Sequence, residues 1–290
     1  MPVIWELDFY SRPLLDENQK KRWEVLICER PERITTDVEN LFRYAKFCAS
    51  NTVNSVWLRE AIEEAIAKTP AKPDRVCFFR RQMNNMISKA VEDAGLAVSI
   101  SRRTLTLDQW LRHRMDCVYP QMEGYNPAPN PSVAYPANTP QPLPDALLGE
   151  QWAIVSLEAA ALNEMPEWDI GFGEAFPLQL TGVSETTPIP GLIIYSSRAT
   201  PLAAWMSGLE LAYLSYQPVM GKVPASLILE TGSADAWTLS PLPTNALIQD
   251  AQAFEAAKKA ADGVHFLAIQ TSPESESFAG FWLLKELNLA

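Results

Sequence analysis

Hydrophobic positions rich in aromatic and β-branched residues run from Trp5 to Tyr10, between polar Glu6 and Asp8, and again from Arg22 to Cys28, with LDENQKK between them. Such segments about a polar turn predict a hairpin of two strands. The pattern then lengthens. Asp37 is placed to cap a helix over VENLFRYAKFCAS, and Ser55 to cap one over VWLREAIEEAIAK, where Val56, Ile62 and Ile66 share a stripe. A strand at Val76–Phe79, a helix over RQMNNMISKAVEDA closed by Gly95, and a strand at Val98–Ser101 follow in order. A last helix is expected from Thr106, with Gln109 three residues on as a capping box.

The second half continues in a mixed style. Leu192–Tyr195 reads as a strand feeding a helix led by Thr200 and Pro201, since proline is favoured at the first helical position. Leu227–Glu230 and Trp237–Leu239 read as a hairpin about a Gly-Ser-Ala-Asp turn. A helix over about 250–261 ends at Gly263, before a strand at Val264–Gln270 and an apolar piece at Phe278–Leu284. Strands alternating with helices predict an α/β (mixed α+β) fold with flanking helices, and no short fixed-period repeat is visible.

Composition divides the chain. Eight prolines lie between Pro120 and Pro144, among Asn, Gln, Ser and Thr. Proline has no amide proton and a fixed φ, so this stretch is expected to be an extended tether outside any central strand or helix. The expected organisation is an N-terminal domain at 1–119, a linker at 120–144 and a C-terminal domain at 145–290. Charge changes at the same place. The first 120 residues carry nineteen of the twenty-four Lys and Arg against seventeen acids, and the remainder carries five against eighteen. Only the first part is suited to meet a polyanion.

Hydrophobic and charged contents of 47% and 20% are globular values. No apolar run approaches the ~18–20 residues that cross a bilayer. MPVIWELDFY has neither the basic opening of a secretory signal nor the character of a transit peptide, so a cytoplasmic location is expected. Cys28, Cys48, Cys77 and Cys117 form no CxxC pair, which predicts reduced thiols and no structural zinc.

One constellation could carry chemistry. If Val76–Phe79 and Val98–Ser101 flank a helix in a right-handed βαβ unit, they are parallel. Arg80-Arg81 and Arg102-Arg103-Thr104 then leave the same carboxyl edge, where open α/β sheets bind ligands. Arg112, His113 and Arg114 follow on the next helix. Arginine forks match phosphate oxygens, and Trp110 beside them could stack on a base. The candidate RNA contacts are therefore Arg80, Arg81, Arg102, Arg103, Thr104, Trp110 and Arg112. The alternative is a set of surface arginines paired with Glu92, Asp93, Asp108 and Asp116.

Glu6 and Asp8 share one strand face, with Glu24 across the hairpin. Such carboxylates could hold Mg²⁺ in a nuclease, or be inward acids satisfied by Arg12 or Arg22. No GxSxG, P-loop or Gly-rich dinucleotide fingerprint is present, so no catalytic residues and no cofactor are expected.

Several segments together resemble a known family. They are WELDF at 5–9, SRP at 11–13, FFRRQM at 78–83, SRRT at 101–104 and WLR at 110–112. In the second half come IPGLIIYSSRATPLAAWMSGLE at 189–210, DAWTL at 235–239, HFLAIQ at 265–270 and FAGFWLL at 278–284. Their order resembles the Tab2/Atab2-like (TAB/ATAB) family of RNA-binding translation factors. The resemblance implies a non-enzymatic protein that binds the 5′ untranslated region of a photosystem I reaction-centre message and supports photosystem biogenesis, here in a cyanobacterial cytoplasm. The acidic C-terminal domain would instead hold a protein partner, with Phe281 and Trp282 of the terminal FWLL as candidate contacts. A scaffold without direct RNA contact is the alternative.

Overall fold

A computed structural model describes residues 3–31, 33–127, 139–144, 147–221 and 223–287. They divide into two compact units. One is made of the described residues from 3 to 127 apart from 33–36; the other is made of 33–36 and the described residues from 139 to 287.

The first unit is built on a five-stranded sheet. β1 (Ile4–Leu15) and β2 (Lys21–Glu29) form the expected antiparallel hairpin, from Trp5 opposite Glu29 to Ser11 opposite Trp23. β4 (Arg75–Phe78) pairs parallel with β1, and β5 (Ala97–Ile100) parallel with β4. The period of two along β1 sorts its side chains. Trp5, Leu7 and Phe9 join a core with Leu58, Ile62 and Ala65 of α1 (Ser55–Lys68) and Ile87 and Val91 of α2 (Asn84–Asp93). Glu6 and Asp8 face the other way.

Residues 43–48 depart from expectation. They form strand β3 (Arg43–Cys48), not a helix, and pair antiparallel with β2 from Cys28–Arg43 to Trp23–Cys48. The sheet order is therefore β3-β2-β1-β4-β5. Tyr44 and Cys48 point to the core on the period-two face, so the open edge of β2 overrides the local helical spacing. Asp37 does not cap a helix; its carboxylate accepts from the Glu39 amide and the Asn40 side chain in a local turn.

The second unit has two sheets. β7 (Gln151–Glu158), β9 (Pro188–Tyr195), β13 (Val264–Gln270), β14 (Phe278–Lys285) and β8 (Ile170–Glu174) lie in the order β7-β9-β13-β14-β8. β10 (Leu211–Gln217), β11 (Ser226–Thr231), β12 (Asp235–Pro241) and the two-residue β6 (Gln141–Pro142) lie in the order β10-β11-β12-β6. Residues of both sheets share one core with α4 (Ala199–Ser207) and α5 (Asn245–Ala260). β9 and β13 run parallel, with Gly191 opposite Phe266. A Cβ at Gly191 would sit 2.1 Å from the Phe266 ring, so that close approach requires glycine. The fold is thus mixed α/β, and among the described residues no helix is long and apolar enough to cross a membrane.

The proline-rich stretch is anchored at both described ends. Tyr119 is buried, Tyr125 bridges to Leu14, and the Asn126 amide donates to the Pro13 carbonyl at 2.9 Å. At the other end Gln141 and Pro142 pair with Trp237 and Thr238 at a sheet edge, the position where a missing amide is tolerated. Both described ends are thus paired within the unit they adjoin, at an edge and not in a central strand, and the middle, 128–138, lies outside the described residues.

His265 sits wholly inside the second unit. Its Nε2 accepts from the Leu214 amide at 2.8 Å and its Nδ1 lies 2.9 Å from the Gly263 carbonyl, which fixes the neutral tautomer with the proton on Nδ1. Burial, and then the nearby Lys258 ammonium, push its pKa down to about 3. Lys258 is itself paired with Glu255 and Glu286. The unfolded chain takes up a proton below 6.5 that the folded one refuses, so this residue favours unfolding as pH falls. His265→Gln is expected to remove up to about 1.4 kcal/mol per pH unit from the stability slope, reached between about pH 5.5 and 4, read by urea unfolding. An unchanged slope would rule the residue out as the source.

Candidate nucleic-acid interface

The expected βαβ geometry is present. Arg75–Phe78 runs parallel to Ala97–Ile100, and the Ser101 amide donates to the Phe78 carbonyl at 2.8 Å. Residues 80–81 and 102–104 therefore leave the sheet at one edge. What the side chains do there differs from expectation.

Arg80 turns inward. It is 8% exposed, and its Nε donates to Asp8 Oδ1 at 2.6 Å and its Nη2 to Asp8 Oδ2 at 3.4 Å. Its guanidinium also lies 4.0 Å from the Tyr10 ring centroid. Arg80 belongs to a layer of ion pairs beneath the edge and offers nothing to a phosphate. In that layer Arg12 Nη1 donates to Asp8 Oδ2 at 2.8 Å and Arg12 Nε to Glu24 Oε2 at 3.3 Å. Arg114 and the Tyr119 hydroxyl complete the shell of Glu24. Burial alone would raise the Asp8 carboxyl, but Arg80 and Arg12 outweigh it and hold its pKa below the ordinary 3.8.

Glu6 works differently. Its Oε1 accepts from Arg30 Nε at 3.1 Å, and its Oε2 accepts from the Leu107 amide at 2.8 Å. Helix α3 (Leu105–His113) begins one residue earlier than the expected Thr106, and no side chain of its own caps it. A carboxylate from β1 supplies the cap, where the first amides of a helix lack partners. Burial raises the Glu6 pKa above 4.5, against the pull of Arg30 and the Leu107 amide. Arg30 also donates to the Ser101 hydroxyl at 3.4 Å and to the Arg103 carbonyl, which pins the loop before α3.

These partners remove the geometric basis for a metal-dependent nuclease at Glu6, Asp8 and Glu24. Their oxygens are taken by guanidinium groups, a phenol and an amide, and among the described residues no group of three or more His, Cys, Asp and Glu is arranged to hold a metal ion. Arg12 was legible as a partner. Arg22 is not one: its guanidinium lies 4.2 Å over the Phe47 ring. Arg30, Arg114 and Tyr119 were missed, although two inward acids on one strand demand more cationic partners than one arginine supplies.

The remaining candidates divide. Thr104 is fully buried, its hydroxyl without a hydrogen-bond partner, and is no surface contact. Arg81, Arg102 and Arg103 are half-buried at the same edge. Arg112 is exposed on α3, with Nε 2.9 Å from Asp108 Oδ2. Trp110 is half-buried; Arg43 and Arg114 lie 5.9 and 5.7 Å from its ring centroid. Phe281 and Trp282 are corrected outright. They are 0% and 3% exposed on β14, with Phe281 stacked on Phe266 at 5.1 Å, so the FWLL segment is core and presents nothing to a partner.

Two mixed α/β units, the first with arginines gathered at a strand edge, define the class as a two-domain α/β protein. Family comparison makes this specific. The profile described as "RNA-binding protein Tab2/Atab2 N terminal" matches residues 4–114, and that described as "RNA-binding protein Tab2/Atab2, C-terminal domain" matches residues 130–285. "Protein TAB2 homolog, chloroplastic" of Zea mays is 40% identical over 98% of this chain and 71% of its own length. The protein of the same name from Arabidopsis thaliana is 37% identical over 98% and 74%. The chain belongs to the Tab2/Atab2 family of RNA-binding proteins.

The ion-pair layer sets a stability expectation. Arg80→Ala leaves the buried Asp8 carboxylate short of a partner and is expected to cost about 3–5 kcal/mol in chemical unfolding. A destabilisation below about 1 kcal/mol would mean that Arg80 is not held by Asp8 in solution.

Proposed function

We propose that this protein is a non-enzymatic RNA-binding factor that supports translation of a photosystem message. It would bind the 5′ untranslated region of a photosystem I reaction-centre transcript through Arg81, Arg102, Arg103 and Arg112, with Trp110 stacking on an unpaired base. The observation that carries the site is the parallel register of Arg75–Phe78 with Ala97–Ile100, which brings two arginine-bearing loops to one edge in the domain matched by the RNA-binding profile. Four arginines of the first unit are engaged by buried acids, so its surface is close to neutral. Phosphate affinity then has to come from a local patch, and message selectivity from bases splayed in loops or single strands.

The site of action we propose is a cyanobacterial cytoplasm, a reducing compartment in keeping with Cys28, Cys48, Cys77 and Cys117, none of which is in a disulfide. The two relatives are named chloroplastic. Fractionation of the source cell with an antibody to the protein distinguishes the two locations.

Replacing Arg81, Arg102, Arg103 and Arg112 together by Ala should weaken filter binding of the 5′ untranslated RNA. It should also lower the slope of log affinity against log salt by about 0.7 for each phosphate that is no longer neutralised. Tight binding by the parent with an unchanged variant would remove the site. Absence of binding by the parent would remove the RNA reading itself.

A further inference from the structure

The outer strand of the first sheet carries arginines that the ion-pair layer does not use. β3 lies at one end of the order β3-β2-β1-β4-β5. Tyr44 and Cys48 face the core with α1 and α2, so Arg43, Ala45 and Phe47 share the opposite face with Arg22, Glu24, Leu26 and Cys28 of β2. On that face the Arg22 guanidinium lies 4.2 Å from the Phe47 ring centroid, and that of Arg43 lies 5.9 Å from the Trp110 centroid. Arg43 and Ala45 are exposed, while Arg22, Phe47 and Trp110 are half-buried. Neither Arg22 nor Arg43 pairs with an acid among the described residues. β3 itself holds no acid, and Glu24 is buried and taken by Arg12, Arg114 and Tyr119.

Helix α3 joins this edge to the arginine loops. It starts directly after Arg102-Arg103-Thr104. Its Leu107 amide donates to Glu6 of β1, the Leu107 side chain packs with Leu26 and Cys28 of β2, and Trp110 reaches Arg43 of β3. The helix therefore crosses the sheet towards β3, over about 13 Å for its nine residues. Along β3, Arg43 and Phe47 are four positions apart, about 13 Å of extended chain, with the small Ala45 between them.

The pairing of cation with ring selects the ligand. A guanidinium lying over an aromatic ring offers its N–H edge to phosphate oxygens and its outer face to a planar base. Base faces are free only where the nucleic acid is unpaired, whereas a duplex would meet this edge with phosphates alone. We infer that single-stranded RNA leaving the arginine loops passes over α3 and continues along β3. One unpaired base stacks at Arg43 and Trp110 and a second at Arg22 and Phe47, with Ala45 leaving room for the backbone between them. This rests on the RNA reading of the first unit and adds a second edge of the sheet to it.

The test is filter binding of the 5′ untranslated RNA and of an unstructured uridine homopolymer. The parent is compared with Arg22→Gln/Arg43→Gln, Phe47→Leu and the variant lacking the four loop arginines. The double arginine variant should bind both probes about tenfold more weakly, with a salt slope lower by about 1.4 for two phosphates released. Phe47→Leu should also weaken binding, with the slope unchanged, since it removes a stacking ring and no charge. Irradiation with p-benzoyl-phenylalanine in place of the exposed Ala45 should crosslink the labelled RNA. The same group in place of the exposed Lys89, on α2 across the sheet, should not. If the loop variant is weakened while the two β3 variants bind like the parent, this edge is overturned and the loop site stands. Equal crosslinking at 45 and 89, or equal competition by a duplex, would also overturn it. Absence of binding by the parent to either probe would overturn both the RNA reading and this extension of it.

Discussion

Asp8 inside the first sheet is the constraint around which its unit is organised. A carboxylate removed from water on the inner face of a strand is tolerable only with cationic partners at hydrogen-bond distance. Arg80 and Arg12 supply them, at 2.6 and 2.8 Å. Glu24 shares Arg12 and recruits Arg114 and Tyr119, while Glu6 takes Arg30 and the α3 amide. The residues joined in this way come from β1, β2, the loops after β4 and β5, α3 and the segment that follows it. One face of the sheet is held by apolar packing against α1 and α2, the other by ion pairs beside a smaller apolar cluster of Leu26, Cys28 and Leu107.

The same layer shows how the proposed RNA contact and a structural ion-pair layer can share an edge. Adjacent residues Arg80 and Arg81 leave β4 together, but one lies over Asp8 and the other stays half-exposed. Arg30 reaches from the end of β2 to the Ser101 hydroxyl and the Arg103 carbonyl, so the loop bearing Arg102 and Arg103 is fixed from beneath. If this loop makes the proposed phosphate contact, ordering by buried groups lowers the conformational freedom it loses on binding. In the second unit the buried charges are lysines, Lys258 and Lys285, each paired with an acid nearer the surface.

Much of this was legible where local pattern and tertiary need agree. Aromatic and β-branched content about a polar turn gave the β1–β2 hairpin, and Val264–Gln270 was bounded correctly by Gly263 before it and its largely apolar run. The βαβ order around residues 76–101 gave the parallel edge. Where the two conflict, local signals mislead. Residues 43–48 carry helical spacing yet complete a sheet, because β2 had an open edge to fill. Thr106 looked like a cap, but the capping oxygen belongs to Glu6, about a hundred positions away. The FWLL segment was distinctive for a reason other than the one inferred: a strand buried on both faces needs large apolar residues on both. Arginine content alone could not separate inward from outward side chains, since that depends on which acids the sheet turns inside.

The most direct test is a double-mutant cycle on the first unit, comparing Asp8→Asn, Arg80→Met and their combination by chemical unfolding. A coupling energy of about 2 kcal/mol or more is expected if the buried pair organises this face. Additive destabilisation within about 0.5 kcal/mol would contradict it and return Arg80 to the surface as a candidate contact.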